Sequence, residues 1–381
     1  MRRFAIHQFL PSFSTWDAIG NETRLMRDEL RSMGFDSEIY CEHRHHSLRR
    51  EAIQVHGSKM RDLGRNILIF HFSVATSALL RMASSKSAIC LRYHNVTPEW
   101  FFDPVKDAAA HAVCKLGRRQ LPMAASIARW GLCDSEFNAA DLRASQMTDV
   151  KVMPLLRDYD LIANLKPDES LMRVLKPESN QAKTVLFVGR LAPNKRQEDL
   201  IELIKVYKDC IDKNIRLILV GSAYSLAYDH ALKQFARDLG LVVASGKPQP
   251  NSSFDVLFAD GVADAELATY YRASDAFICA SEHEGFCVPV VEAMRFGLPI
   301  LAHDSTAVKE TIGGSGLVLD KFNKESFVRG LEKILTDDGF KNSLIQERAK
   351  RLSSLEFPYV RETFKNHVER MARDFAQDSL I

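Results

Sequence analysis

The sequence predicts an α/β protein made of two Rossmann-like, doubly wound domains that face a cleft. Short apolar runs alternate with loops and amphipathic helices over residues 3–41 and again over 184–320, as in parallel strands joined by crossover helices. The length of 381 residues is enough for two domains of ordinary size. We therefore expect one domain over 1–165, a linker over 166–182 and a second domain over 183–356.

Composition fits a soluble globular protein, with 46% hydrophobic and 26% charged residues. No apolar run approaches the ~20 residues that a transmembrane helix needs. The N-terminus is interpreted as a first strand and not as a signal peptide, because His7, Gln8 and Pro11 interrupt its apolar run. The seven cysteines include no C-x-x-C pair, so we expect free thiols in a reducing cytoplasm and no zinc site or disulfide framework.

The charge distribution is uneven, although the net charge is only +2, which disfavours a nucleic-acid partner. Residues 1–130 hold 19 Lys or Arg and 12 Asp or Glu, and the remainder is net acidic. The basic residues concentrate at Arg44–Arg65 and Lys115–Arg129. This distribution fits either a solvated face or a patch that contacts anionic lipid or a lipid-diphosphate acceptor.

The first domain opens with a predicted strand at 3–10, a helix over Glu22–Met33 that Gly34 ends, and a second strand at Ser37–Cys41. Gly20 lies in the loop before that helix. The G-x-G-x-x-G fingerprint is absent, so a nicotinamide site is not supported.

Two further strands are predicted at Asn66–Phe72 and Ala88–Tyr93. His71 ends the first of these strands, and His94 directly follows the second, so His94 is a candidate site residue at a carboxyl end; a purely structural histidine is the alternative. Asp158-Tyr-Asp160 matches a D-x-D metal motif, but it lies in a polar stretch near the domain boundary, and we predict no metal there.

In the second domain, the strand Thr184–Val188 leads into a loop with Arg190 and Lys195, and the helix Gln197–Lys208 follows. Two cations at the carboxyl end of a strand, ahead of a helix N-terminus, can neutralise a diphosphate. Taken alone, two such residues would also fit ordinary surface charge.

The stretch 275–303 predicts a strand, a loop over Ser281–Val288, a helix over Val290–Phe296 with Pro289 as its first residue, and a second strand. Gly285 lets a ligand approach the loop backbone closely. Glu284 in the loop and Glu292 one turn into the helix should point toward the same crevice, where carboxylates accept hydrogen bonds from hydroxyls.

Residues 282–294, E-H-E-G-F-C-V-P-V-V-E-A-M, resemble the E-x7-E signature of the retaining GT-B glycosyltransferases of family 4. The preceding V-G-R-L-x-x-x-K stretch resembles a second signature of that family. The resemblance implies that Glu284 binds donor-sugar hydroxyls, that Glu292 binds the ribose, and that Arg190 and Lys195 hold the donor phosphates. The resemblance also implies that the loop residues Gly285, Phe286, Cys287 and Val288 line the donor, with Cys287 and Val288 replacing the usual Gly and Leu.

The resemblance extends loosely over the first domain. There it implies that Gly20, with Asn21, lets the donor diphosphate approach the first helix, and that His94 lies near the reacting sugar. Phe357, Val360, Phe364, Val368, Met371 and Phe375 are spaced as one face of an amphipathic helix. In this fold the last helix returns to the N-terminal domain, and we expect the same of 357–381.

The implied reaction is transfer of a hexose, with retention, from a nucleoside-diphosphate sugar to a glycan or polyprenyl-diphosphate-linked acceptor. Similarity to bacterial polysaccharide and O-antigen enzymes favours a GDP-linked mannose or 6-deoxyhexose, at the cytoplasmic side of the inner membrane. No metal or cofactor is expected, and the catalytic candidates are Glu284, Arg190, Lys195 and His94. The alternatives are a GT-B sugar-nucleotide epimerase, a nucleotide-sugar hydrolase or phosphorylase, and a non-catalytic sugar-nucleotide-binding protein.

Overall fold

The structure is a computed structural model that describes residues 4–14, 17–56, 62–177, 182–250 and 252–377. Parts of the predicted basic run, linker and C-terminal helix, at 57–61, 178–181 and 378–381, lie outside the described residues. The chain divides into two compact units. Unit 1 comprises Met1–Arg157 and Leu355–Ile381, and unit 2 comprises Asp158–Ser354.

Unit 1 is built on a seven-stranded, all-parallel sheet with the order β3-β2-β1-β4-β5-β6-β7. Its strands are β1 (Ile6–Phe13), β2 (Ile39–Arg44), β3 (Ile53–Gln54), β4 (Ile67–Phe72), β5 (Ala88–Tyr93), β6 (Ala128–Cys133) and β7 (Val150–Val152). Its helices are α1 (Ala18–Ser32), α2 (Leu79–Ala83), α3 (Ala108–Ile127), α4 (Glu136–Ala144) and, after unit 2, the helix Phe357–Gln377, α14. The order reverses between β1 and β4, which is the topological switch point of a doubly wound sheet.

Helix α1 begins four residues earlier than predicted. The Asp17 side chain accepts hydrogen bonds from the N–H groups of Ile19 and Gly20 and so caps the first turn. Gly34 follows the helix at φ +83°, the left-handed conformation expected of it.

The C-terminal helix α14 packs on the core of unit 1. Its face of Val360, Phe364, Val368 and Met371 is buried in a cluster that includes Trp130. Polar contacts at its edges also fix the helix. Arg370 pairs with Asp149 at 2.7 Å, Arg361 pairs with Glu29 at 2.5 Å, and the Trp130 indole N–H donates to Asp374 at 3.1 Å.

Unit 2 has a second seven-stranded parallel sheet, with the order β10-β11-β9-β8-β12-β13-β14. Its strands are β8 (Lys183–Val188), β9 (Ile215–Val220), β10 (Val243–Ser245), β11 (Val256–Ala259), β12 (Ala276–Cys279), β13 (Ile300–His303) and β14 (Leu317–Leu319). Its helices are α5 (Tyr159–Ala163), α6 (Glu169–Leu175), α7 (Gln197–Cys210), α8 (Leu226–Asp238), α9 (Asp264–Ala273), α10 (Val288–Arg295), α11 (Val308–Ile312), α12 (Lys324–Thr336) and α13 (Asp338–Ser353). The two parallel sheets confirm the predicted α/β class with two Rossmann-like domains.

The segment interpreted as a linker differs in the structure. Helix α5 lies in the stretch assigned to the first domain, and α6 lies in the stretch assigned to the linker. Both belong instead to unit 2, whose first residue is Asp158. Asp168 caps α6, and this short helix buries Leu171 and Leu175. These leucines are buried by packing against the rest of unit 2. A helix of seven residues is too short to show a hydrophobic period in the sequence.

Candidate active site

The candidate site of unit 2 lies where its sheet changes direction, because β8 pairs with both β9 and β12 there. The loops that follow β8 and β12 leave the same edge of the sheet, at the carboxyl ends of the strands. Open α/β sheets bind their ligands at this position. The first loop carries Arg190 and Lys195, and the second carries Glu284 and its neighbours.

Close backbone packing shapes the loop after β8. A Cβ added at Gly221 would lie 2.1 Å from the carbonyl oxygen of Gly189, so only glycine fits there. The buried Gln197 side chain donates to the Arg190 carbonyl at 3.2 Å and accepts from the Ala192 N–H at 3.3 Å. The loop is therefore held at both ends, while the Arg190 side chain is exposed.

The loop after β12 is tied to its neighbours through its backbone. The Thr306 hydroxyl accepts from the Glu284 N–H at 2.8 Å and lies 2.9 Å from the Glu284 carbonyl. The Asn194 amide donates to the His283 carbonyl at 3.0 Å, and this bond joins the two site loops. These bonds position the Glu284 side chain without using its carboxylate.

Lys195 and Glu284 meet as an ion pair, with Nζ 2.5 Å from a carboxylate oxygen. Both side chains are largely buried. Burial alone lowers the pKa of Lys195, but the Glu284 carboxylate outweighs this and leaves the pKa above its ordinary value. Lys195 is therefore an ammonium at neutral pH and can bind a phosphate.

Glu292 lies in the second turn of α10 and is only 3% exposed. Its carboxylate accepts a hydrogen bond from the Tyr271 hydroxyl at 2.8 Å. The Tyr271 ring is stacked on Phe296 with the ring centroids 4.8 Å apart, which fixes the hydroxyl in place. Sequence reasoning assigned Tyr271 no role.

Helix α10 begins at Val288, one residue before Pro289, the predicted first residue, which therefore lies in its first turn. Its N-cap Cys287 has φ +72°, in the left-handed region that glycine adopts most readily. The left-handed residue of this loop is thus Cys287, whereas Gly285 does not have a positive φ. Phe286 is buried, and its carbonyl accepts from Thr311 at 2.5 Å.

The Cys287 thiol also contacts a second cysteine. It donates a hydrogen bond to Cys279, the last residue of β12, and this bond lowers the pKa of the Cys279 thiol below its ordinary value. The Ser281 hydroxyl lies 3.3 Å from the Cys279 sulfur.

In unit 1, Gly20 and Asn21, the predicted donor contacts, make contacts within the unit. Gly20 lies inside the first turn of α1 and not before it, and its N–H donates to Asp17 at 3.3 Å. A Cβ there would approach the Ser14 carbonyl to 3.0 Å, so packing against the preceding loop accounts for the glycine. The Asn21 side-chain oxygen accepts from Arg24 at 2.8 Å.

His94 is part of a buried chain of hydrogen bonds in unit 1. Its Nδ1 lies 2.9 Å from the Asp134 carboxylate, and its Nε2 lies 3.0 Å from His71 Nδ1. His71 Nε2 in turn lies 3.0 Å from the side-chain oxygen of Gln8, whose amide nitrogen donates to the Thr23 carbonyl. Both ring nitrogens of His94 are therefore engaged within the unit.

Acceptors lie at both ends of this chain. The Asp134 carboxylate accepts from His94, and the Gln8 side-chain oxygen accepts from His71. Burial, and then the neighbouring His94 and Arg92, lower the pKa of His71 well below its ordinary value.

Buried charges lie next to the two histidines. Arg92 is fully buried and pairs with Glu22 at 2.7 Å and with Asp134 at 2.6 Å. One buried cation is thus held between two buried carboxylates. Sequence reasoning missed Glu22, Arg92 and Asp134; an arginine inside the apolar run Ala88–Tyr93 was the available signal.

The D-x-D match has structural partners. Asp158 caps α5, and Asp160 pairs with Arg295. Both carboxylates thus have roles within unit 2 that need no metal ion.

Residues 172–351 match the family model described as "Glycosyl transferases group 1". These residues form a group 1 glycosyltransferase domain. The match covers most of unit 2, including both site loops and the Glu292 helix.

Curated relatives of the group 1 domain are similar at low identity. A serotype-specific mannosyltransferase, WbdA, from Escherichia coli is 28% identical over 160 residues, which is 42% of this chain and 18% of the relative. A lipopolysaccharide 1,2-N-acetylglucosaminetransferase from Salmonella typhimurium is 24% identical over 217 residues, 53% of this chain and 52% of the relative. The chain thus spans less than two thirds of either relative.

Solved structures share the fold over nearly the whole chain, although their sequences are distant. Sucrose-phosphate synthase from Thermosynechococcus elongatus superposes with a TM-score of 0.71 at 14% identity, covering 97% of this chain and 99% of that one. HepE from Anabaena, solved with UDP and glucose, has a TM-score of 0.69 at 18% identity, covering 96% and 100%. The chain, with the group 1 domain as its second half, therefore has the GT-B fold.

No helix among the described residues is long and apolar enough to cross a membrane.

Proposed function

We propose that the chain is a retaining, metal-independent glycosyltransferase of family 4. It moves a hexose from a nucleoside-diphosphate sugar to a glycan or lipid-linked glycan acceptor. The observation that carries this proposal is the Lys195–Glu284 pair at the switch point of the second sheet, where a cation and a hydroxyl-binding carboxylate lie side by side. A phosphorylated sugar presents the complementary groups.

Each side chain of this site has a role in the proposed reaction. Lys195 and Arg190 bind the diphosphate and stabilise the negative charge that develops on the leaving phosphate. Glu284 accepts hydrogen bonds from sugar hydroxyls, and Glu292, held by Tyr271, accepts from the ribose. In this role the cations do the work that a divalent metal does elsewhere, so no cofactor is required.

The proposed chemistry uses no protein nucleophile. The bond between the anomeric carbon and the phosphate oxygen breaks, and the sugar passes through an oxocarbenium-like state. The departing phosphate oxygen takes the acceptor proton, and the acceptor attacks from the same face. His94 is then not assigned as the base, since both its ring nitrogens have partners within unit 1.

The donor is proposed as GDP-linked mannose or a 6-deoxyhexose, and the product as a bacterial surface polysaccharide assembled at the cytoplasmic side of the membrane. The names of the mannosyltransferase and lipopolysaccharide relatives support this choice. The basic N-terminal unit, with the exposed apolar side chains Trp100, Val105 and Leu116, is a candidate surface for peripheral contact with anionic lipid. Sedimentation with anionic and neutral vesicles tests that contact.

Thermal-shift measurements with GDP-, UDP- and dTDP-sugars test the proposal first. We expect stabilisation by one class of donor, undiminished by EDTA, and no stabilisation by any donor would contradict it. Incubation of that donor with and without a lipid-linked glycan then separates transfer from the hydrolase and epimerase alternatives. The anomeric configuration of the product, read by NMR, decides between retention and inversion.

A further inference from the structure

Two buried thiols flank the Glu284 carboxylate in unit 2. Cys279 ends β12 and Cys287 caps α10, and they are 2% and 6% exposed. Their two sulfur atoms and one Glu284 carboxylate oxygen lie within 4.8 Å of one another. Spacing alone did not indicate a metal site, because the two cysteines are eight positions apart. The fold brings them together by returning the loop to the strand end.

Two thiolates and one carboxylate are a ligand set that suits Zn²⁺, and three protein ligands leave a fourth position for water. Softer thiolate ligands also disfavour Mg²⁺ and Ca²⁺, which prefer oxygen.

The charges of the cluster permit this ligation. Without metal, two neutral thiols accompany the neutral Lys195–Glu284 pair. Binding converts two thiols and Zn²⁺ into a zinc dithiolate and releases two protons. The Zn²⁺ charge of +2 and the three anionic ligands sum to −1, which the Lys195 ammonium offsets. The cluster is therefore neutral before and after binding, so no uncompensated charge is buried.

We propose that Cys279, Cys287 and Glu284 bind Zn²⁺, and that the bound ion excludes the donor sugar. The second part rests on the proposed function, because Glu284 is the side chain assigned to the donor hydroxyls. A carboxylate bound to zinc no longer accepts those hydrogen bonds. The ion would thus be an inhibitor at the site and not a cofactor of the reaction.

Competition with a chromophoric chelator tests the site in the reduced full-length protein. We expect one Zn²⁺ per chain, and Cys279→Ser and Cys287→Ser should each weaken binding by on the order of a hundredfold. Cys210→Ser is the matched control, because Cys210 is exposed at the end of α7, and this variant should bind as the wild type does. Melting temperatures of all variants check that they are folded.

Co²⁺ supplies a readout that does not depend on activity. Two thiolate ligands should produce an intense near-ultraviolet charge-transfer band, which either serine variant should weaken. Calorimetry in two buffers of different ionisation enthalpy should report about two protons released per ion. Absence of the Co²⁺ band, or Zn²⁺ binding that survives both serine substitutions, would overturn the site.

The two parts of the proposal fail separately. If Zn²⁺ binds through both cysteines but does not change the stabilisation by the donor, the competition between zinc and donor is contradicted and the zinc site is supported. If no sugar nucleotide stabilises the protein, the proposed function fails, while zinc binding is still measured by the chelator and by Co²⁺.

Discussion

Lys195 and Glu284 form a contact that a substrate can replace. Inside the protein the two side chains pair with each other. In a sugar diphosphate, the phosphate groups would suit Lys195 and the sugar hydroxyls would suit Glu284. A donor would exchange one ion pair for two interactions, one to phosphate and one to hydroxyls. Under the proposed function, the pair therefore holds both side chains in position until a donor binds.

Lys195→Ala should lower kcat for transfer by about 10²–10³-fold, the range seen when one group that stabilises developing charge is removed. Steady-state kinetics with saturating donor measure this change. Lys205→Ala is the matched control, because Lys205 makes a surface pair with Asp209 on α7 and should leave kcat unchanged. Unaltered turnover in Lys195→Ala would remove the phosphate role.

Glu292→Gln should weaken binding of the free nucleoside diphosphate by about tenfold, because hydrogen bonds to a charged acceptor exceed those to a neutral one by roughly 1.4 kcal/mol. Isothermal titration measures the affinity. Glutamine still accepts from Tyr271, so the fold should be retained.

Tyr271→Phe is the companion variant, since it removes the hydroxyl but leaves the carboxylate. Its nucleotide affinity should stay within a few-fold of the wild type. Equal affinity of Glu292→Gln and wild type would count against a ribose contact.

Sequence reasoning was strongest for residues defined by a motif in one loop. It selected Lys195 and Glu284 as members of one site, and the structure has them in contact. Their binding of a donor remains a prediction. It missed Tyr271 and Arg92, because their partners are distant in sequence and nothing local marks them. It also did not predict the positive φ of Cys287, since a left-handed cysteine is contrary to residue preference.

At the scale of elements, α14 shows how much a periodic pattern can predict. Spacings of three and four correctly identified the residues of its buried face. The pattern could not reveal the polar contacts with Asp149 and Glu29 that fix the helix on unit 1. It was equally uninformative about α5 and α6, whose few turns contain too few residues to show a period.

Phe364→Ala should lower the free energy of unfolding of unit 1 by about 3–5 kcal/mol, the usual cost of truncating a buried phenylalanine. Phe364 is fully buried in the cluster under α14. Thr363→Ala on the same helix should change the free energy of unfolding by less than about 0.5 kcal/mol. Denaturant titrations measure both, and similar values for the two variants would contradict the packing of this face.

For the whole molecule, acid should destabilise unit 1 through half-buried His367 and buried His71. Burial, and then the neighbouring Arg370, lower the pKa of His367 on α14 to about 4. An unfolded histidine with a pKa near 6.5 binds a proton that the folded one does not. The unfolding free energy should therefore fall as the pH decreases from about 6.5 toward 4, and His71 contributes with the same sign.

Tryptophan fluorescence can measure this loss selectively, because the tryptophans, at positions 16, 100 and 130, all belong to unit 1. His367→Gln should flatten the pH dependence of the fluorescence transition over that range. A transition whose pH dependence is unchanged in the variant would exclude His367 as a source of the acid sensitivity.

The return of α14 to unit 1 also sets an order of events during synthesis. Unit 2 is one continuous stretch, whereas unit 1 is completed only by residues after Ser354. At ~5–20 residues per second, the ribosome needs roughly 10–45 s to add the 224 residues between Arg157 and the last residue of the sequence. During that interval the apolar face that α14 later covers stays exposed on the nascent chain. We therefore expect this face to be where chaperones bind first, and the second domain to be complete before the first.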